Sequence, residues 1–202
     1  MMRLFTALAA VAAFAAPAGA ATTVITPTVQ PAGTSFLVSG NIFSGPITAS
    51  FGHVGIVAGA FTDLFQFTIP QTGTGSGAVT TSTALFGSSI DTDLLSVFVN
   101  GLAANVTYRD SLGNVCLVRN VGTCGADETY AINNVPITFG ALNTITVNGL
   151  SRGNGSFGGN ATFIPSPVPE PATWAMMLVG FGAVGFSMRR ARKSSGQALQ
   201  AA

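Results

Sequence analysis

The sequence predicts an all-β domain, a β-sandwich or jelly-roll-like fold, with a hydrophobic segment at each end of the chain. Two observations carry this prediction. Short runs of β-branched and aromatic residues recur between Thr22 and Ile164, and glycine, asparagine and proline separate them. The same region shows no helical periodicity, so it offers no crossover helices for a parallel sheet. The 202 residues leave room for one such domain.

The clearest predicted strand contains Phe61, Phe65 and Phe67, which alternate with smaller residues and should face the core. Asp63 falls on the same face, and a buried carboxylate is costly without a hydrogen-bond partner or water. We therefore expect Asp63 to have a partner. The predicted strands are Thr22–Thr26, Ser35–Ser39, Ile47–Phe51, Phe61–Ile69, Ala78–Leu85, Leu94–Val99, Asn105–Tyr108, Val115–Val118, Thr129–Ile132, Ile137–Phe139, Thr144–Val147 and Ser156–Phe163.

Composition limits the classes of function. Charged residues make up only 7% of the chain, against about 25% in ordinary soluble domains. Between the two hydrophobic ends, three arginines face six acidic residues, which gives a net charge of −3. Nucleic-acid binding requires clustered cations, and this part of the sequence has none. A nucleic-acid partner is therefore excluded.

The N-terminus has the three parts of a secretory signal peptide over residues 1–20. Arg3 supplies the positive charge, residues 4–16 are apolar, and Ala18 and Ala20 form a small-residue cleavage site. We expect cleavage after Ala20. The segment implies a secretion translocon and a signal peptidase as partners.

The C-terminus has three different features in fixed order. The triplet Pro169-Glu170-Pro171 comes first, and 17 uncharged residues follow it, from Ala172 to Met188. Such a run predicts a single transmembrane helix over 172–188, although about 20 residues are the usual length. Four cations come next and should hold the last segment, 189–202, on the cytoplasmic side. These cations, the predicted membrane stop, are Arg189, Arg190, Arg192 and Lys193.

Pro169, Glu170 and Pro171, with Trp174 and Ala175 after them, resemble the PEP-CTERM sorting signal in its PEPxxWA variant. The resemblance implies an exosortase substrate. In such substrates a membrane enzyme recognises the Pro-Glu-Pro region, removes the hydrophobic tail and passes the protein to the cell surface or extracellular matrix. Contact with the inner membrane would then be transient.

The expected organisation has five segments. They are a signal peptide (1–20), a β-sandwich domain (21–163), a proline-rich spacer with the Pro-Glu-Pro motif (164–171), a transmembrane helix (172–188) and a basic cytoplasmic tail (189–202).

The pattern Phe61-x-Asp63-x-Phe65 is similar to the motif of a PEP-CTERM subfamily named FxDxF. This second resemblance extends to the later strands of the domain. It implies a localisation for the protein and no established activity.

Cys116 and Cys124 are the two cysteines of a chain whose ends predict export to an oxidising compartment. We expect them to form a disulfide, which would stabilise by roughly 2–3 kcal/mol for so short a loop. A redox site would require Cys-x-x-Cys, and a zinc site would require more ligands.

The other candidate sites are weak. His53 is expected in a loop or at a strand end, and a hydrolase would require folding to bring it beside a buried carboxylate and a nucleophile. Asp91 and Asp93 could supply two ligands to Ca²⁺, but a solvated turn is the expectation and no cofactor is required. The stretch Gly73–Gly77 is expected to be a flexible connection, because it lacks the lysine of a phosphate loop.

The sequence therefore predicts a non-enzymatic exported protein of the envelope or extracellular matrix with a structural or adhesive role. The alternative is a carbohydrate-binding module for exopolysaccharide, with Ca²⁺ as a stabilising ion. That alternative requires exposed aromatic side chains, and the expected domain offers Tyr108 and Tyr130 but no tryptophan.

Overall fold

Strands dominate the described part of the chain, which in this computed structural model comprises residues 20–81, 90–110, 112–117, 127–167 and 171–197. The chain divides into two units, Met1–Pro165 and Ser166–Ala202. The strands of the first unit are β1 (Ala21–Ile25), β2 (Thr34–Gly40), β3 (Ile47–Ile56), β4 (Gly59–Thr68), β5 (Gly73–Thr81), β6 (Thr92–Val99), β7 (Leu102–Ala103), β8 (Asn105–Arg109), β9 (Val115–Cys116), β10 (Asp127–Ile137), β11 (Leu142–Ser151) and β12 (Gly155–Pro165). The second unit contains the helix α1 (Pro171–Gln197).

The strands form two sheets with a shared core. One sheet has five strands in the order β1-β4-β11-β6-β7, and the other has seven in the order β2-β3-β12-β5-β10-β8-β9. Neighbouring strands are antiparallel, except that β1 runs parallel to β4. The all-β prediction is confirmed, and the two sheets are sandwich-like.

Strand β4 shows the alternation that the sequence predicts. Phe61 and Phe65 are buried, whereas Thr62 and Leu64 are only partly buried. Asp63 lies on the same inner face and is completely buried. Period-two alternation therefore identified the inner face of this strand correctly.

Aromatic rings fill the core between the sheets. Phe65 of the five-stranded sheet packs against Phe51 and Phe36 of the other sheet, with ring centroids 4.8 Å and 5.7 Å apart. Phe61 stacks on Phe157 at 5.9 Å. A second, separate cluster of buried residues lies further along the strands and consists of Ile47, Ile69, Val135, Ile137 and Phe163.

A row of mostly small side chains crosses the inner face of the seven-stranded sheet between these two clusters. Each member pairs with the next across neighbouring strands. The row, called the small-residue row below, is Val38, Ala49, Ala161, Gly77 and Ile132. Rows that contain Phe51 and Phe163 flank it on either side.

Two expectations about β5 and β10 are wrong. Gly73–Gly77 is the first half of β5 and not a flexible connection. Glycine is required at position 73 because a side chain there would collide with the Ile164 carbonyl and the Phe163 ring. The two strands predicted within 129–139 are one strand, β10, interrupted by an irregularity between Ile132 and Val135. Parts of the predicted strands Ala78–Leu85 and Val115–Val118 lie outside the described residues.

The cross-sheet aromatic cluster gives a direct test of the fold. Phe65→Ala should lower the free energy of unfolding by roughly 3–5 kcal/mol, because it opens a cavity where the two sheets meet. Phe43→Ala is the matched control, since Phe43 is 74% exposed, and it should change stability by less than about 0.5 kcal/mol. Denaturant unfolding of both variants measures the difference. Equal losses would show that Phe65 does not lie between the sheets.

Candidate functional site

The segment that carries the predicted sorting signal is helical from Pro171 to Gln197. Proline suits the first helical position, because its missing N–H would have no intrahelical acceptor there. Pro169 and Glu170 lie outside the described residues. Trp174 is 53% exposed.

The helix covers the whole predicted membrane segment, 172–188. Every side chain that the structure describes in it, from Thr173 to Arg189, is exposed, including Phe181 and Phe186. Within the described residues, no helix has both the length and the apolar character that membrane crossing requires.

His53 and Asp63 form a hydrogen bond between the two sheets. The His53 Nδ1 atom of β3 lies 2.8 Å from Oδ2 of Asp63 in β4. Asp63 is fully buried and the His53 ring is 15% exposed. The prediction that Asp63 has a partner is confirmed, whereas the loop or strand-end position expected for His53 is wrong. The histidine lies on the inner face of β3, opposite the carboxylate.

Neighbouring residues hold the histidine ring in place. Phe157 meets it edge-on at 6.4 Å, and Gly33 lies so close behind it that a side chain there would contact the ring. A histidine with a buried carboxylate is two thirds of a catalytic triad. In the described ranges, however, no Ser, Thr or Cys side chain hydrogen-bonds to His53, and Thr34 beside it donates to the Pro31 carbonyl instead.

Glu128 is a second buried acid that bridges the sheets, and sequence analysis missed it. Its Oε2 atom accepts hydrogen bonds from the backbone N–H of Leu94 and the Thr81 hydroxyl, both at 3.3 Å. The Tyr130 hydroxyl donates to the Leu94 carbonyl at 3.1 Å. Glu128 and Tyr130 are two residues apart in β10 and therefore share its inner face. The spacing of two residues between Glu128 and Tyr130 is the sequence pattern that could have predicted an inward-facing Glu128.

Asp91 and Asp93 bind Arg152 and do not form the solvated turn that was expected. The Nε and Nη2 atoms of Arg152 lie 3.0 Å from Asp91 Oδ2 and 3.3 Å from Asp93 Oδ2. Both acids are buried, and the Arg152 side chain is 41% exposed. The guanidinium thus takes the position between the carboxylates that a bound cation would take. Within the described residues, no group of three potential metal ligands is found.

The buried polar contacts are concentrated at one end of the sandwich. His53, Phe157 and Thr81 are successive cross-strand neighbours, and Thr81 hydrogen-bonds Glu128. The start of β6, next to Asp93, lies against the same residues through Leu94. The inward-facing acids therefore find their partners locally, close to the aromatic cluster.

The outer surface of the seven-stranded sheet carries uncharged polar side chains over four neighbouring strands, with the exposed apolar side chains of Leu37, Val54 and Ile164 among them. Its exposed polar side chains come from β2, β3, β5 and β12, and several are direct cross-strand neighbours. This surface, called the outer polar face below, consists of Ser39, Thr48, Ser50, Thr74, Thr80, Asn160 and Thr162. Its polar groups are those that sugars and water can reach.

The two sheets use their outward polar groups differently. On the five-stranded sheet, Thr62 donates to Asn148 at 2.8 Å, and Asn148 donates to Ser96 at 3.0 Å. On the outer polar face, the side chains of Ser50 and Asn160 are neighbours but make no hydrogen bond to any described residue. Their donors and acceptors remain available to a ligand.

The remaining predicted site residues lie wholly or partly outside the described ranges. Cys116 ends β9 and is not a free thiol, but Cys124 is not described, so their disulfide stays a prediction. The signal peptide and Ala18 are not described either, and the described chain begins at Ala20. Of the basic cluster, the side chain of Arg189 is described, and it is exposed.

A family model described as the PEP-CTERM protein-sorting motif matches residues 167–193. The chain carries this sorting motif. The match spans the Pro-Glu-Pro triplet, Trp174, Ala175 and the basic cluster, so it includes every residue on which the resemblance depended. A PEP-CTERM motif indicates a protein that is exported as a membrane-passing precursor and sorted by exosortase. The PEPxxWA variant and the FxDxF subfamily stay predictions.

Comparisons with curated proteins and with solved structures give no further indication of fold or function. No curated protein matches the chain. Among solved structures, the chain is similar to one titled "Crystal structure of Agl-KA catalytic domain", with 14% identity over 63% of this chain and a TM-score of 0.21. The alignment spans 23% of that protein's chain. A superposition this weak supports neither fold nor function.

The His53–Asp63 contact predicts that the stability losses caused by substituting the two residues are not additive. His53→Leu should lower the free energy of unfolding by roughly 3–5 kcal/mol, because it leaves a buried carboxylate without a partner. His53→Leu combined with Asp63→Leu should recover part of that loss, since two apolar side chains then meet between the sheets. Thermal or denaturant unfolding of His53→Leu, Asp63→Leu and the double variant measures the coupling. Additive losses would contradict a direct contact.

Proposed function

We propose that this chain is a non-enzymatic protein of the cell envelope or extracellular matrix with a structural or adhesive role. The sorting motif at 167–193 supports the route of delivery. The outer polar face supports the role, and it is the observation that carries the proposal. Neutral hydroxyl and amide groups without protein partners suit contact with neutral, hydroxyl-rich polymers.

The proposed route begins with export through the secretion translocon and cleavage after Ala20 by signal peptidase. Segment 172–188 would then stop in the inner membrane, with Trp174 at its outer boundary and the basic cluster at the cytoplasmic side. Export would also let Cys116 and Cys124 pair in an oxidising compartment.

Exosortase would recognise Pro169, Glu170 and Pro171 before it removes the tail. Two prolines keep the peptide extended and remove backbone donors, so the enzyme can bind it as a strand-like ligand. These residues are recognition elements of a substrate and have no catalytic role in this chain.

The second candidate is a carbohydrate-binding module for exopolysaccharide. The same uncharged face favours it, because sugar hydroxyls could replace water on Ser50 and Asn160. Binding would rely on hydrogen bonds more than on ring stacking, since Tyr130 is buried and its hydroxyl is bonded to Leu94. Tyr108 is partly exposed and is the remaining tyrosine that could stack on a sugar.

A non-enzymatic assignment agrees with how the structure uses His53. Its Nδ1 atom is committed to Asp63, and both residues join the sheets instead of lining an open cleft. Arg152 is likewise committed to Asp91 and Asp93. We propose that these groups serve stability, with Ca²⁺ not required.

Processing is tested by the C-terminus of the delivered protein. In producing cells, mass spectrometry should find a surface form that lacks the tail from Trp174 to Lys193. Substitution of Pro169, Glu170 and Pro171 by alanine should hold the intact chain in the inner-membrane fraction. The control is Pro165→Ala, which alters the spacer but leaves the matched residues 167–193 unchanged. An intact tail at the surface would refute processing.

Polysaccharide contact is tested by co-sedimentation of the exported protein with exopolysaccharide from the producing cells. Alanine at Thr48, Ser50, Asn160 and Thr162 together should weaken binding by about tenfold or more, because each net hydrogen bond contributes roughly 0.5–1.5 kcal/mol. The control places alanine at Thr22 and Thr146 on the other sheet. Equal binding by both variants would remove the role assigned to the outer polar face.

A further inference from the structure

A cavity of about 500 Å³ lies between the two sheets. The whole small-residue row lines its floor, and Phe67, Val99 and Ile145 of the five-stranded sheet form the opposite wall. Natural protein interiors contain few voids larger than a water molecule. A space of this size is therefore a feature to be explained by what fills it.

The sequence creates this space at a defined place. The large side chains of Phe51 and Phe163 extend toward the opposite sheet. The smaller residues Ala49, Ala161 and Gly77 between them leave the space between the sheets unfilled. The penalty for an empty cavity grows with its volume, and at this volume it would be comparable to the whole stability of an ordinary domain. Apolar cavities also stay dry. An apolar occupant resolves both difficulties.

The dimensions of the cavity suit a single hydrocarbon chain. The small-residue row crosses five strands that are spaced by about 4.8 Å, so it extends roughly 19 Å. The lining is mostly apolar over this length, which suits the extended hydrocarbon chain of a lipid.

The cavity has an opening at one edge of the sandwich. Strand β1 pairs with β4 only as far as Phe65, so Gln66 and Thr68 are not covered by β1. Pro27 and Thr28, after β1, line the cavity together with the half-exposed Ile42. A chain could therefore enter between β2 and the end of β1, with its polar head at this opening.

The lining selects the chemical class of the head group. After β1 it offers the hydroxyls of Thr26 and Thr28, which lie 3.3 Å apart. No lysine or arginine lines the cavity within the described residues, so a carboxylate or phosphate head would find no cation there. Hydroxyl, ester and amide heads can instead hydrogen-bond to these neutral groups.

We propose that the sandwich binds a neutral single-chain lipid, such as an acyl ester or a fatty alcohol, in the cavity along the small-residue row. The acyl chain lies on Ala49, Ala161 and Gly77, and the head group contacts Thr26 and Thr28. This site is separate from the outer polar face and does not depend on the function proposed above.

The test uses protein recovered from producing cells and diphenylhexatriene, a neutral rod-shaped fluorophore. Saturable binding of one probe per chain is expected, with displacement by 1-monopalmitoylglycerol. Ala161→Leu should weaken probe binding at least tenfold, because the leucine side chain fills the middle of the channel. Ala60→Leu is the matched control, since Ala60 is exposed and does not line the cavity.

Gly75→Val supplies a second filled variant if Ala161→Leu does not fold. A side chain at Gly75 would meet Ile137 at an ordinary contact distance of 3.5 Å. Palmitate, which carries a carboxylate, should displace the probe at least tenfold less well than the glyceride. Absence of saturable binding, or equal binding by a folded filled variant and the wild type, would overturn the proposal. Equal displacement by palmitate would overturn the neutral head-group assignment.

Discussion

The hydrogen bond between His53 and Asp63 is the interaction on which the rest of the domain depends. A carboxylate on the inner face of β4 is tolerated only because the other sheet presents a donor at 2.8 Å. The contact sets the two sheets in one relative position, and Phe65 and Phe51 then pack next to it. Glu128 repeats the arrangement from the opposite sheet through Leu94. The inward-facing carboxyl groups thereby find hydrogen-bond partners on the opposite sheet.

This distribution of polar groups explains the two surfaces that a partner could meet. Asp63, Glu128, Asp91 and Asp93 are all buried. The outer polar face consists of neutral groups, and the interior beyond the aromatic cluster is mostly apolar, with the buried Asn143 bonded to Asn100 at its end. A neutral polymer on the outer face and a neutral lipid in the interior are both consistent with the lack of charged side chains at these two places. Both follow from where the acids of a chain with 7% charged residues are placed.

The sequence predicted what is local and missed what depends on neighbouring strands. The sorting motif is contiguous, so residues 167–193 could be recognised without a fold. Alternation in β4 predicted that Asp63 would be buried and would have a partner. It could not name His53, because the partner lies on the other sheet. Gly73–Gly77 was misjudged for the same reason, since Gly73 makes room for Phe163 of the strand beside it. The outer polar face and the small-residue row also exist only once register is known.

The central claim is that His53 is a cross-sheet structural donor. Nitrogen-15 NMR of the exported protein tests it most directly, through the ring nitrogens of the molecule's one histidine. The account predicts a slowly exchanging proton on Nδ1, with a coupling or nuclear Overhauser contact to Asp63 across the sheets. A ring whose two nitrogens both exchange rapidly with water would contradict the account, because His53 would then be free of the buried carboxylate.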